Sequence, residues 1–405
     1  FTGRGGGSAF PGLVVEKLFP KFLSYGFSHL TIKPIIVSGT NGKTTTTKLI
    51  TEILKSQDFK VITNSSGSNF TRGIASELIN EIKFKPIREQ FDISILELDE
   101  AYAKQFVDKV DISTLLILNI SRDQLDGFGE VDATRKLLEQ VASKAEKLVL
   151  NSLDSSSEII FAKLNIPTIF FTVAQDISKQ ILTEGEHSLF LPQESDYIEL
   201  KSVIYDKSGY NLKIEIATPG KNIKLKTNLQ GIYNAMNLTA AVATVISAIG
   251  DNIKITKLKS VESKLEPAWG RSQKFKFKDS IIHLILVKDP TGFNHVLQEF
   301  GDGQQALFAL NDDYADGQDV SWIWDVNFSR LKFNDYKFTG KRGYDMAIRL
   351  KYQDIKVKPE DIKLNIAEAL KTILDSDYTQ KTIFASYTAM SEIHKILNNL
   401  EESIK

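Results

Sequence analysis

The chain has 405 residues, too many for one ordinary domain, and its composition (42% hydrophobic, 25% charged) is that of a globular protein. Fifty basic residues against fifty-one acidic ones leave a formal charge of −1, which gives no footing for nucleic acid. Cysteine is absent, so disulfides, thiolate zinc sites and a cysteine nucleophile on this chain are excluded.

The start lacks a basic-then-apolar signal pattern, and no apolar run approaches the roughly 18–20 residues of a membrane span, so a cytoplasmic enzyme with no integral membrane segment is expected. Gly3, Gly5, Gly6, Gly7 and Pro11 read as a flexible arm, followed by an amphipathic helix over 13–26. Strands and helices then alternate. Residues 34–37 predict a short buried strand and 44–54 a helix, while 91–98 and 112–120 are near-continuous apolar runs of the kind found in strands covered on both faces. Residues 147–150 and 168–172 continue the series, which argues for a parallel sheet. Between 186 and 230 the pattern changes to period-two alternation, with short strands over 188–191, 197–205, 211–216 and 223–227 and turns at Gly209 and Pro219-Gly220. That is an antiparallel insertion or edge sheet. A helix over 235–249 ends at Gly250. From about 280 a second alternating series begins, with strands at 281–287, 306–310 and 382–385 and helices at 342–352, 365–374 and 388–399. The expected fold class is α/β: an arm and helix over 1–30, a central domain over 31–272 with a mostly parallel sheet and an antiparallel edge, and a smaller α/β domain over 273–405.

The most specific motif is Ser38-Gly39-Thr40-Asn41-Gly42-Lys43-Thr44-Thr45-Thr46, set between a predicted strand and a predicted helix. Glycines let the backbone close around phosphate, amides at the helix N-terminus face the anion, and Lys43 supplies a point charge. Thr44 can place its hydroxyl on Mg²⁺. Val37 stands where the general nucleotide loop has its first Gly, so the loop is of a shorter type. Glu97 lies where the next apolar strand ends, the side on which open α/β sheets bind ligands, and a carboxylate there suits Mg²⁺. Asp99 and Glu100 read equally as a solvated strand end. Asn119-Ile-Ser-Arg122-Asp123-Gln124-Leu-Asp126 follows another apolar strand, and Asn234 and Asn237 lie one turn apart where a helix starts, Asn234 as a cap. Gly270-Arg271 stands near the junction of the two domains.

Together these segments resemble the Mur ligase and folylpolyglutamate synthase superfamily, whose short phosphate loop is Gly-Thr-Asn-Gly-Lys-Thr-Thr. The resemblance implies an ATP-dependent, carboxylate-activating ligase with ATP and Mg²⁺ as cofactors. It places nucleotide on Gly39, Thr40, Asn41, Gly42, Lys43, Thr44, Thr45, Asn234, Asn237 and Arg271, metal on Thr44 and Glu97, and catalytic roles on Lys43 and Glu97. Gln124 replaces the histidine that helps bind a second metal in amino-acid-adding members. Asp289-Pro290-Thr291-Gly292-Phe293-Asn294 and the segment from Leu310 to Asp325, with five aspartates and two tryptophans, resemble the MurT branch.

That branch implies a GatD-type glutamine amidotransferase partner and membrane-bound lipid II as substrate, reached peripherally. It also implies an aspartate that completes the partner's catalytic triad. Asp319 is the first choice for that aspartate and Asp316 the second. Many MurT proteins carry a four-cysteine zinc ribbon, which this chain cannot form. From Leu331 onward the resemblance rests on architecture. The alternative expectation is a stand-alone amino-acid-adding Mur or folylpolyglutamate-type ligase, which leaves the 287–325 segments unexplained. A P-loop module that only switches with nucleotide leaves the Asn119 and Asn234 segments unexplained as well.

Overall fold

Alternate residues of one short strand feed two separate cores: Ile35 and Val37 pack on one face of the first sheet, Ile36 on the other. The computed structural model describes residues 10–64, 71–81, 87–120, 131–181, 190–192, 196–205, 212–229, 231–250, 253–266, 273–297, 300 and 304–404. They fall into two compact units, one running to Pro267 and one from Ala268 onward.

The first unit carries β1 (Ile35–Ser38), β2 (Val61–Thr63), β3 (Ile93–Glu97), β4 (Ile112–Ile117), β5 (Ala145–Asn151), β6 (Thr168–Val173), β7 (Asp196–Tyr205), β8 (Leu212–Thr218) and β9 (Lys221–Thr227). Their order is β2-β3-β1-β4-β5-β6-β7-β8-β9. Pairing is parallel as far as β7 and antiparallel for β7–β8 and β8–β9, so the expected α/β class with an antiparallel edge is present. Helices cover both faces, which is why β1, β3 and β4 are almost wholly buried and read as continuous apolar runs. The outer edge of β9 is partly closed: Lys226 N–H donates to the Glu262 carboxylate at 3.1 Å and Asn228 N–H to Leu265 C=O at 3.1 Å.

The helix Gly231–Ile249 lies against the helix Lys43–Ser56 within one core. Contrary to the expectation of no such run, it is long and apolar enough to cross a bilayer, but 67% of its apolar window is buried inside the protein. The expected helix over 13–26 is instead two, Phe10–Leu18 and Phe22–Phe27. Pro20 lacks an N–H and disfavours helical backbone at Phe19, which breaks the run. Phe190 and Leu191 are not in a strand, while Ser188 and Leu189 lie outside the described residues.

The second unit holds β10 (Gln273–Phe277), β11 (Ser280–Leu286), β12 (Gln305–Ala309), β13 (Asp335–Thr339) and β14 (Gln380–Ala385) in the order β10-β11-β14-β12-β13. The hairpin β10–β11 is antiparallel, and Lys278 at its turn takes φ 53°. The remaining pairs are parallel. Phe293, Phe308, Phe328, Phe338 and Phe384 fill one face, with stacked or edge-on ring contacts.

Candidate functional site

In the first unit, β1 ends at Ser38 and the chain turns through Gly39 (φ 125°) and Gly42 (φ 89°) into the helix Lys43–Ser56. Both glycines are required. A Cβ on Gly39 would stand 2.7 Å from Asn119 C=O, and one on Gly42 would stand 2.5 Å from Asn237 Oδ1. Bare backbone at these two positions lets the chain close tightly, as a cradle for phosphate demands.

The strand order then supplies the walls, because β1 is flanked by β3 and β4 and their ends close on the loop. From β4, Asn119 clasps it: its Oδ1 accepts from Asn41 N–H (2.9 Å), its Nδ2 donates to Asn41 C=O (3.0 Å), and its own C=O accepts from Thr40 N–H (2.9 Å). From β3, Glu97 Oε1 accepts from the Thr44 hydroxyl at 2.8 Å. Glu97 is buried, and its backbone is pinned on both sides by Asn64, whose Oδ1 accepts from Glu97 N–H and whose Nδ2 donates to Glu97 C=O. Lys43 Nζ donates to Gly39 C=O (2.6 Å) and Thr40 C=O (3.4 Å) and pairs with Asp99 Oδ1 (3.0 Å). Burial works against the Lys43 charge, but Asp99, Glu100 and Glu97 outweigh it and hold the ammonium above its usual range.

This geometry fits ATP and Mg²⁺. Lys43 and the loop amides would hold phosphate, and the adjacent Thr44 hydroxyl and Glu97 carboxylate would hold the metal. Mg²⁺ takes one or two protein ligands and completes its shell with phosphate and water. Accordingly it needs no larger cluster, and among the described residues no group of three or more His, Asp or Glu is placed to hold a metal.

Of the expected nucleotide residues, Gly39 through Thr45 and Asn237 come together. Asn234 does not cap its helix as expected: the helix begins at Gly231 (φ 77°), so Asn234 lies within its first turn and accepts from Asn237 Nδ2 at 3.3 Å. Arg271 and the segment from Arg122 to Asp126 lie outside the described residues. Sequence reasoning passed over Asn64, whose three-residue strand is too short to leave a pattern, and used Asn119 only as a motif letter.

In the second unit, the loop after β12 runs from Leu310 to the short 3-10 helix Ser321–Asp325. Asp312 accepts from Arg342 Nε (2.7 Å), and Asp313 pairs with Lys341. Asp316 is buried: its Oδ1 accepts from Thr388 N–H (2.7 Å) and its Oδ2 from the Thr388 hydroxyl and from Asp313 N–H (3.2 Å). It therefore caps the helix Tyr387–Ile404 from another part of the chain. Asp319 is half-buried and accepts from Ser321 N–H at 2.8 Å, and the Ser321 amide and hydroxyl hold its carboxyl below the usual carboxylate range.

The two tryptophans divide. Trp322 is buried against Phe293, while Trp324 is 49% exposed and lies over the Arg349 guanidinium. Arg349 fixes the short helix by donating to Ile323 C=O and Val326 C=O. The expected 287–294 segment is structural. Asp289 accepts from Gly292 N–H at 2.7 Å and caps the helix Pro290–Leu297, and Asn294 Oδ1 accepts from Asn327 N–H at 2.7 Å.

Comparison with known proteins matches the Mur ligase middle domain over residues 37–245 and the MurT ligase C-terminal domain over 286–390. The second match extends the likeness well past Leu331, where the sequence motifs give out. The chain is 29% identical to the MurT subunit of lipid II isoglutaminyl synthase from Streptococcus pneumoniae, over 97% of this chain and 93% of that one. It is also 29% identical to the Staphylococcus aureus protein of the same description, over 90% and 87%. Among solved structures, MurF from Acinetobacter baumannii aligns with a TM-score of 0.71 at 17% identity, covering 94% of this chain and 79% of that one, a likeness of fold.

Proposed function

The chain belongs to the Mur ligase family and carries the MurT-type C-terminal domain, and on that premise we propose that it is the ligase subunit of a glutamine-dependent amidating enzyme. Its substrate is the α-carboxylate of D-glutamate in the lipid II stem peptide, which it converts to D-isoglutamine in the cytoplasm. ATP held in the loop supplies the phosphoryl group that turns this carboxylate into an acyl phosphate. Ammonia, released from glutamine by a GatD-type partner, attacks the acyl carbon and phosphate leaves. Lys43 binds and neutralises the phosphates, Thr44 and Glu97 position the metal, and Asn119 keeps the loop amides aimed at the anion.

Asp319 serves the partner's active site by accepting from the histidine of a cysteine–histidine pair, which orients the ring and stabilises its charge. The observation that carries this reading is the contrast between two aspartates in the loop. Asp316 is buried and spent on the fold, whereas Asp319 presents a half-exposed, ionised carboxylate in the same loop.

The test is co-purification with a glutamine amidotransferase from the same genome, then amidation of lipid II with glutamine and ATP. Both chains together should add one amide, and Lys43→Ala should remove turnover with glutamine or with ammonium. Asp319→Asn should remove only the glutamine-driven reaction, and its survival would take the triad role from Asp319. ATP-driven addition of an amino acid by this chain alone would instead establish the stand-alone ligase.

A further inference from the structure

An ammonium has three N–H donors, and all three on Lys43 have acceptors: Gly39 C=O, Thr40 C=O and Asp99 Oδ1. A phosphate oxygen can reach this nitrogen only by displacing one of them. Two are carbonyls of the loop's own backbone, fixed by the turn that makes the cradle. The third is a side chain that is 43% exposed and can rotate into solvent.

The backbone around Asp99 shows that this side chain is committed to Lys43 at some cost. Asp99 stands at the N-cap of the helix Glu100–Val107 with extended backbone, where an aspartate ordinarily accepts from the first turn, yet its carboxylate makes no capping bond.

Glu97 makes the contrast. It touches the next loop residue, Thr44, but it is buried and its backbone is held on both sides by Asn64. One strand end thus offers a fixed carboxylate to the metal-binding hydroxyl and a movable one to the phosphate-binding lysine.

We propose that Asp99 is a positioning residue that holds Lys43 in place of phosphate while the loop is empty, and yields to the γ-phosphate when ATP binds. The proposal rests on the phosphate-loop reading and adds to it a residue that acts through Lys43 rather than on ATP. Because displacing Asp99 opposes binding, the residue lowers affinity for triphosphate and keeps the empty loop in its receptive shape.

The test measures affinity, not turnover. Binding of AMP-PNP and of AMP is read by displacement of a fluorescent ATP analogue in Mg²⁺ buffer, for the wild type, Asp99→Asn and Asp99→Ser. Both substitutions remove the charge and keep a side chain able to cap the helix. Each should tighten AMP-PNP about tenfold, equivalent to about 1.4 kcal/mol, and leave AMP, which has no γ-phosphate, unchanged. Unchanged or weaker AMP-PNP binding by both variants, with the wild type binding normally, overturns the proposal and leaves the phosphate loop standing. Equal tightening of AMP overturns it too, since that reports a loosened loop. A wild-type chain that does not bind AMP-PNP removes the phosphate-loop reading and this proposal with it.

Discussion

Asp316→Ala offers the sharpest separation of structure from function in the second unit. The substitution strips a buried acceptor from the Thr388 amide, the Thr388 hydroxyl and the Asp313 amide. Hydrogen bonds to a charged group are worth roughly 1.5–3 kcal/mol each, but these share one carboxylate and do not add. About 3–4 kcal/mol is the reasonable total, with the cap on the helix Tyr387–Ile404 included. Asp319→Ala removes the bonds from the Ser321 amide and hydroxyl at a half-buried turn where water can replace them, and should cost roughly 0.5–1 kcal/mol.

The assay follows from the sequence. Of the three tryptophans, Trp322 and Trp324 fall in the second unit and Trp269 lies outside the described residues, so in a Trp269→Phe background tryptophan fluorescence reports the unfolding of that unit alone. At roughly 2–4 °C per kcal/mol for a domain of this size, Asp316→Ala should lower the midpoint by about 6–16 °C and Asp319→Ala by about 1–4 °C. Equal midpoints for the two variants would refute the division of labour. A stable Asp316→Ala that has lost glutamine-driven amidation would move the triad role to Asp316.

Two further outcomes are expected. Gly42→Ala should cost about 1–2 kcal/mol for its positive φ and a further 1–3 kcal/mol for the contact with Asn237, and abolish nucleotide binding in equilibrium dialysis. Gly220→Ala, with φ 76° and open space around it, should show the first cost alone, and equal destabilisation in urea would remove the Asn237 argument. His283, buried on β11 beside Phe300, has its pKa lowered to about 4 by burial and by Lys274, against the opposing bond with Gln380. Between about pH 6.5 and 4 the unfolded chain therefore takes up a proton that the folded chain refuses, so stability falls as pH falls, by roughly 3 kcal/mol across the window. Urea titrations of wild type and His283→Phe should diverge in slope across that window, and parallel curves would contradict it.

Much of the phosphate site is legible in the sequence because its residues are consecutive. Gly39 through Thr45 sit where strand turns into helix, and Glu97 ends an apolar run. What closes on that loop is not legible, since Asn64, Asp99 and Asn119 arrive from three other strand ends whose order only the folded sheet reveals. Long apolar runs such as 112–117 announced themselves, whereas β2 with three residues and β13, reading Asp-Tyr-Lys-Phe-Thr, carry too little period to be heard. Pro20 was present in the sequence as a breaker, and the apolar spacing around it masked the break. The Leu310–Asp325 segment marked its own importance by composition. Which of its aspartates is spent internally depended on Thr388, Lys341 and Arg342, all distant along the chain.

The closing of β9 bears on how copies of this chain meet one another. A strand at the rim of a nine-stranded sheet offers backbone groups that a strand from a second molecule can pair with, the route by which sheets extend into aggregates. Here Glu262 and Leu265 already occupy the amides of Lys226 and Asn228, and the exposed Lys224 and Lys226 set like charge against any incoming copy of the same strand. At Lys226 and Asn228 the β9 rim is thereby closed to a strand from a second copy.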